Sequence, residues 1–218
     1  LRGHLNSTPN GIFTEEVWNT TASLTHQPYS YSKTLAEQED WKISKQQSRW
    51  DLVVVSPSFV MGPAQNPEVA TSESITILKQ LGDGTMKMGV PNLGMGIVDV
   101  RDLAFAHYQA GFVPDAKGRH IISGHNSTLL EASKILHKSF GESYPVPKSA
   151  LPKWLVMLVG PLINKSLSRK FIRGNVDVPW KADNSKSKKS LGVTYRPLQD
   201  TMIDSFQVLI DTQMVSKK

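Results

Sequence analysis

The six residues Asp51-Leu52-Val53-Val54-Val55-Ser56, followed at once by Pro57, constrain this chain more than any other stretch. Leucine and three consecutive valines leave no polar face, so the run reads as a strand buried on both sides, as in a parallel sheet covered by helices. Proline, which has no N–H to give to a ladder, ends it. The segment before it, residues 28–47, opens with proline and is rich in Leu, Ala, Glu and Lys, which predicts a helix. Residues 57–69 hold Pro57, Gly62, Pro63 and Pro67 and read as a loop without regular structure.

Beyond the loop the same alternation continues. A helix is expected over 71–81, stopped by Gly82-Asp83-Gly84, then a strand over 97–100 and a helix over 103–112 capped by Asp102. A strand around 120–122 and a helix over 128–140 follow. From residue 148 onward the pattern turns mostly helical, with an apolar stretch at 154–163 and a last amphipathic helix over 198–212. Strand and helix in alternation define an α/β protein built on a parallel sheet.

Composition removes several chemistries. The 218 residues contain no cysteine, which excludes disulfides, thiolate zinc sites, iron–sulfur ligation and cysteine nucleophiles. The six histidines show no spacing of four residues, so no metal site is expected, and no Gly-x-Ser-x-Gly elbow marks a serine hydrolase. The apolar stretch 154–163 is broken by Gly160 and Pro161 and is about half of the ~20 residues that cross a bilayer. No membrane span, no secretory leader and a cytoplasmic setting are the expectation, with the Asn-x-Ser/Thr triplets at Asn6, Asn19, Asn126 and Asn164 read as chance. The net charge of +6 sits largely in the late lysines and arginines. No aromatics interleave with them as base-stacking requires, so they read as a solvated surface and no nucleic-acid partner is expected.

Tyr29 and Lys33 stand four apart near the start of the first expected helix, which puts phenol and ammonium on one face, a turn apart. An ordinary tyrosine titrates near pH ~10, and a cation within a few ångströms favours the phenolate. Such a pair can protonate a developing alkoxide. The spacing alone does not separate a catalytic pair from a surface pair. Tyr31 is a rival phenol, with Leu35 where a cation would have to be.

Four stretches in order supply the context: residues 28–37 (Pro-Tyr-Ser-Tyr-Ser-Lys-Thr-Leu-Ala-Glu), 54–63 (Val-Val-Ser-Pro-Ser-Phe-Val-Met-Gly-Pro), 97–107 and 183–192. Together they resemble the extended branch of the short-chain dehydrogenase/reductases, within it most the group of dihydroflavonol reductases, cinnamoyl-CoA reductases and fungal aldehyde or ketone reductases. The resemblance implies a Rossmann-like parallel sheet with a mostly helical substrate lobe: residues 1–56 as the remainder of the dinucleotide-binding domain, residues 57–218 as the lobe interleaved with the last strands. It implies Tyr29 as proton donor, with Lys33 supporting it and holding the nicotinamide ribose. It implies that Pro57, Ser58, Phe59 and Val60 hold the carboxamide, through amides that a proline-led loop leaves unpaired, and that Ser72 (or Ser74) meets the cofactor phosphates, helix capping being the plainer role for either serine. NADP is the implied cofactor, NAD the alternative. The implied substrate is a small apolar carbonyl compound or alcohol, favoured over a sugar nucleotide by Phe59, Met61, Met88 and Met95, and the implied assembly is a monomer or homodimer.

The family's Gly-rich turn after a first strand is not in this sequence. Gly94-Met95-Gly96 lacks a third glycine and precedes a strand where the fingerprint follows one. Thr14-Glu15-Glu16-Val17-Trp18 resembles an acidic-Trp segment that lies downstream of the family's carbonyl-polarising Ser or Thr, while residues 7–10 read as a turn. The expectation is therefore a reductase lacking its first third and inactive alone. A hydroxysteroid-type dehydrogenase, a sugar-nucleotide epimerase, or a non-catalytic binding protein on the same fold remain as alternatives. Adjacent Glu15 and Glu16 read as a solvated turn, and His107 as a helix residue near the core.

Overall fold

The buried valine run forms β1 (Val53–Pro57) and pairs in parallel with β5 (Gly118–Ile122), from Val53 opposite Gly118 to Pro57 opposite Ile122. The computed structural model describes residue 8 and residues 11–69, 72–163 and 167–218. Ser7, Pro9 and Asn10 of the expected turn, Thr71 at an expected helix start, and the basic Lys165 lie outside them.

Residues 57–69 are not the structureless loop that their prolines and glycine predict. Pro57 is the last residue of β1, Phe59–Met61 forms a second strand, β2, and Pro67–Val69 a single 3-10 turn. Phe59, Val60 and Met61 are aromatic, β-branched and unbranched apolar, and they pair in parallel with β4 (Gly94–Asp99), Phe59 opposite Ile97. At Ser58 the chain leaves one neighbour and takes up the other: its N–H donates to the carbonyl of Ile122 at 3.0 Å. On its other edge β4 pairs antiparallel with β6 (His125–Thr128). The two-residue strands β3 (Val90–Pro91) and β7 (Ala150–Leu151) form a separate parallel pair.

Successive side chains on a strand point to opposite faces. Ile97 and Val98 of β4 are both fully buried, so both faces are covered. On the Ile97 side lie α2 (Glu73–Gly82), α4 (Leu129–Phe140) and α8 (Leu198–Asp211), with Leu78, Leu81, Leu136, Met202, Phe206 and Leu209 buried there. On the Val98 side lie α3 (Val100–Phe112) and α7 (Ser185–Leu191), through Ala106 and Leu191. Helices on both faces of a partly parallel sheet make this the expected Rossmann-like α/β arrangement.

Local chemistry sets the helix ends. Thr128 and Glu131 form a reciprocal capping box that starts α4. The cap of α3 is Asp99, whose carboxylate accepts from the N–H of Arg101 at 2.8 Å, and not Asp102. Asp102 lies inside the first turn, buried, and accepts from the backbone N–H and the guanidinium of Arg196. An aspartate one turn into a helix and an aspartate at its cap look alike in sequence. The remaining helices are α5 (Lys153–Ile163), α6 (Arg169–Asn175) and, first in the chain, α1 (Pro28–Lys45).

Candidate active site

α1 carries Tyr29 and Lys33, and it buries none of its residues. Gln27, left-handed at φ 53°, turns the chain into the helix, and Pro28 occupies its first position. The two candidate side chains meet as their spacing predicts: Lys33 Nζ stands 5.6 Å from the centre of the Tyr29 ring. Tyr29 is 73% exposed, on an open surface. Tyr31 is half-buried and points elsewhere around the helix.

Arg119 of β5 ties α1 to the sheet. Its guanidinium donates to Glu37 of α1, to the carbonyl oxygens of Glu15 and Val17, and lies 4.3 Å from the centre of the Trp18 ring. This residue was missed at the sequence level. The signal was there: an arginine in the otherwise apolar run Arg119-His120-Ile121-Ile122 must find partners. Glu15 is no solvated turn residue either. Its carboxylate accepts from the N–H of Ile121 at 3.0 Å, because that edge of β5 has a free backbone donor to satisfy. Glu16 is exposed, as expected, but so is His107, whose Nδ1 contacts the Leu103 carbonyl.

Pro57, Ser58, Phe59 and Val60 straddle the switch from β1 to β2, at the carboxyl ends of parallel strands, where ligands of open α/β sheets bind. The reason expected for their role needs correction. The Ser58 amide is bonded to Ile122 and Phe59 and Val60 belong to a ladder, so this is not a run of unpaired amides. Ser58 instead offers a side chain: its buried Oγ has no hydrogen-bond partner among the described residues, and neither has the Oγ of Ser123, just beyond the end of β5. An orphaned buried hydroxyl at this position fits a carboxamide arriving there.

Ser72 is the N-cap of α2, its Oγ accepting from Ile75 N at 3.4 Å and lying 3.2 Å from the Oγ of Ser74. Among the described residues, no hydrogen bond, ion pair or ring contact joins Tyr29 or Lys33 to Ser72 or to residues 57–60. Of the four apolar side chains that were to favour an apolar substrate, Met61 and Met95 are buried in one core cluster, Phe59 packs on that core, and Met88 is exposed. Gly94 and Gly96 also serve packing. A Cβ on either would collide with residues 178–180, the Trp180 ring in the case of Gly96.

Two surface depressions lie elsewhere. One, of about 480 Å³, is lined by His125, Lys188, Thr194 and Tyr195 among others, and one of about 260 Å³ by Arg101, Phe105 and Arg196. Burial pushes the Tyr195 phenol up, and its hydroxyl is 2.8 Å from the Oγ of Ser187. Arg101 is paired with Asp99 and Asp204. Burial raises the Asp99 carboxyl, yet the bonds from Arg101 and Thr201 outweigh it and hold the group below the usual carboxylate range. No cluster of metal-ligating side chains occurs among the described residues.

Parallel strands covered by helices, with a phenol and an ammonium in contact on the helix before β1, make a Rossmann-like scaffold. The chain is 35% identical over 144 residues to cinnamoyl-CoA reductase 1 of Arabidopsis thaliana, covering 65% of this chain and 40% of that protein. It is 33% identical over 181 residues to cinnamoyl-CoA reductase 2 of Medicago truncatula, covering 83% and 46%. The crystal structure of Gre2 from Candida albicans in complex with NADPH superposes with a TM-score of 0.67 at 23% identity, over 92% of this chain and 57% of that one. No family model matches. These relatives, with others that include a bifunctional dihydroflavonol 4-reductase/flavanone 4-reductase of Pyrus communis, fit the resemblance to the extended short-chain dehydrogenase/reductases. The chain spans about half the length of the curated relatives it matches.

Proposed function

We propose that these residues are the proton-transfer and substrate part of an NADPH-dependent reductase that converts an aldehyde or ketone to an alcohol, with residues up to 56 on the dinucleotide side and residues 57–218 as the substrate lobe. The observation that carries this reading is the Tyr29–Lys33 contact on one face of α1. The relatives' names as reductases and the NADPH in Gre2 support the reaction class and the cofactor.

In this reading Tyr29 donates its hydroxyl proton to the carbonyl oxygen as negative charge develops there. Lys33 keeps a positive charge beside that phenol and hydrogen-bonds the ribose. Ser58, through its free hydroxyl, orients the carboxamide. NADPH, when bound, supplies the hydride. Ser72 uses its oxygen to cap α2, so any contact with a phosphate would come from its O–H and from the helix N-terminus.

The sequence holds no Gly-rich phosphate turn and Tyr29 stands open, so the chain alone is expected to bind NADPH weakly and turn over no substrate. The test uses a longer protein made by placing a Gly-rich strand-turn-helix ahead of this sequence. There Tyr29→Phe should lower kcat by about 100-fold or more, the range for general acid catalysis, with the KM for NADPH little changed. Parent-rate NADPH oxidation by that variant overturns the assignment. The exposure of Tyr29 favours a second reading, a binding protein on the same fold; NADPH bound by the longer protein with no turnover of any carbonyl compound would support it.

A further inference from the structure

The sheet sets two buried, unpartnered hydroxyls side by side. Ser58 and Ser123 are 8% and 2% exposed, and neither Oγ has a hydrogen-bond partner among the described residues. The two registers, Pro57 opposite Ile122 and Phe59 opposite Ile97, place Ser58 next to Ser123 on one strand and next to Gly96 on another. Residues level with each other on adjacent strands stand about 4.8 Å apart, with their side chains on the same face. Ile121, two residues before Ser123 and so on that face too, packs with Phe13 and Trp180. The carbonyl of Ser123 accepts from Asn184 Nδ2 at 2.6 Å, so its backbone is committed and its hydroxyl is not.

Gly96 makes a recess beside them. A Cβ there would lie 2.8 Å from the Ser123 Oγ and inside the Trp180 ring, so a flat indole edge occupies the space that the bare glycine leaves. That edge is carbon, and it offers the hydroxyls neither a donor nor an acceptor. A buried hydroxyl that gives up water and gains no partner is costly to keep. Trp180 itself is only half-buried, with the Phe13 ring 5.6 Å away, centre to centre. A planar group carrying both a donor and an acceptor would fit the same recess and satisfy both serines. A primary carboxamide is such a group: its carbonyl accepts from one hydroxyl while its NH2 donates to the other. A carboxylate would lose its water there with no cation bonded at either hydroxyl. We infer that Ser58, Ser123 and the recess at Gly96 form a slot for a primary carboxamide, with Ser123 as its second binding residue and Trp180 as the side chain that yields when the carboxamide enters. The inference rests on the reading in which Ser58 orients the nicotinamide carboxamide, and adds Ser123 and Trp180 to it.

The probe is nicotinamide itself, titrated into this chain and followed by NMR. The signals are the Trp180 indole N–H, assigned by its loss in Trp180→Leu, and the amides of Ser58, Gly96 and Ser123. A ligand of this size should saturate them with a Kd of about 10 mM, while pyridine, which lacks the carboxamide, should leave them in place. Ser123→Ala and Ser58→Ala should each weaken nicotinamide by about 3- to 10-fold, the worth of one hydrogen bond. Neither should lower the thermal midpoint, because each removes a hydroxyl that bonds to nothing in the fold. Trp180→Leu, read from the three amides, should tighten binding, since the competing ring is gone; a Trp180 that only supported the fold would weaken it on removal. Ser58→Ala weakening nicotinamide while Ser123→Ala changes nothing would overturn the slot and leave the role of Ser58 standing. Shifts equal to those of pyridine, or none up to about 100 mM, would remove both. The proton-donor assignment is tested separately, by Tyr29→Phe.

Discussion

Arg119 of β5 and Glu37 of α1 form an ion pair with Nε 2.6 Å from Oε1, and each side chain is only 16% exposed. α1 buries none of its own residues fully, and this pair, with the two carbonyls and the Trp18 ring that Arg119 also holds, ties the helix bearing Tyr29 and Lys33 to β5. A hydrogen bond to a charged group away from solvent is worth about 1.5–3 kcal/mol. Glu37→Gln keeps the shape and loses the charge, whereas Arg119→Met loses every bond. Hydrogen exchange should speed up in α1 by about 10-fold or more in Arg119→Met and less in Glu37→Gln, with exchange in α4 and α8 unchanged. Unchanged exchange in α1 of Arg119→Met would show that other contacts hold it.

Gly96 has a sharper steric requirement. A Cβ there would occupy the space of the Trp180 ring and sit 2.8 Å from the Ser123 Oγ. Overpacking of this kind costs about 1–3 kcal/mol, so Gly96→Ala should lower the denaturation midpoint accordingly. Adding Trp180→Leu to Gly96→Ala should recover part of that loss, which a double-mutant cycle would measure as coupling. Additive effects would mean that the ring is not what excludes the methyl group.

These two positions show what sequence reasoning could and could not reach. The buried valine run, the capped helix α4 and the pairing of Tyr29 with Lys33 follow from local pattern, and the structure has all three. The strand Phe59–Met61 was hidden, because prolines and a glycine on both sides suggested a loop while its stability comes from β4, more than 30 residues away. Likewise Gly94 and Gly96 look like an imperfect phosphate turn until Trp180, remote in sequence, is seen against them. Met61 and Met95 suggested a pocket because apolarity alone does not say whether a residue faces core or ligand. Long-range pairing, not local propensity, decided each of these.

Asp102 presents a further case of dependence between distant segments. It is buried, and its carboxylate takes both the backbone N–H of Arg196, at 2.8 Å, and the guanidinium. Asp102→Asn keeps an acceptor for the backbone and should cost less than Asp102→Ala, which leaves the Arg196 N–H and a charge without their partner. Breaking a pair on one side only costs up to about 3–5 kcal/mol when both partners are buried. Arg196 is 42% exposed, so the loss should fall below that range, at about 2 kcal/mol. Chemical denaturation of the two variants checks the order; Asn as costly as Ala would assign the stability to charge alone.

His120, fully buried on β5 with Nε2 3.0 Å from the Ser190 Oγ, should make the fold sensitive to mild acid. Burial pushes its imidazole below the ordinary value of 6.5, and the Lys186 ammonium pushes the same way, against a smaller opposing effect of Glu15. The unfolded chain therefore takes up a proton at this residue before the folded one does. With more protons bound unfolded than folded, stability is full above pH about 6.5 and falls as the pH drops from there to the folded pKa, by up to about 1.4 kcal/mol per pH unit. Asp99 and Asp183 do not confuse the measurement, because their carboxyls are held below the usual range and release their contribution only in stronger acid. Denaturation midpoints at about pH 7.5 and about pH 5.5 should differ in the parent and differ less in His120→Gln, which cannot titrate. A variant with the parent's pH slope would place the sensitivity in another group.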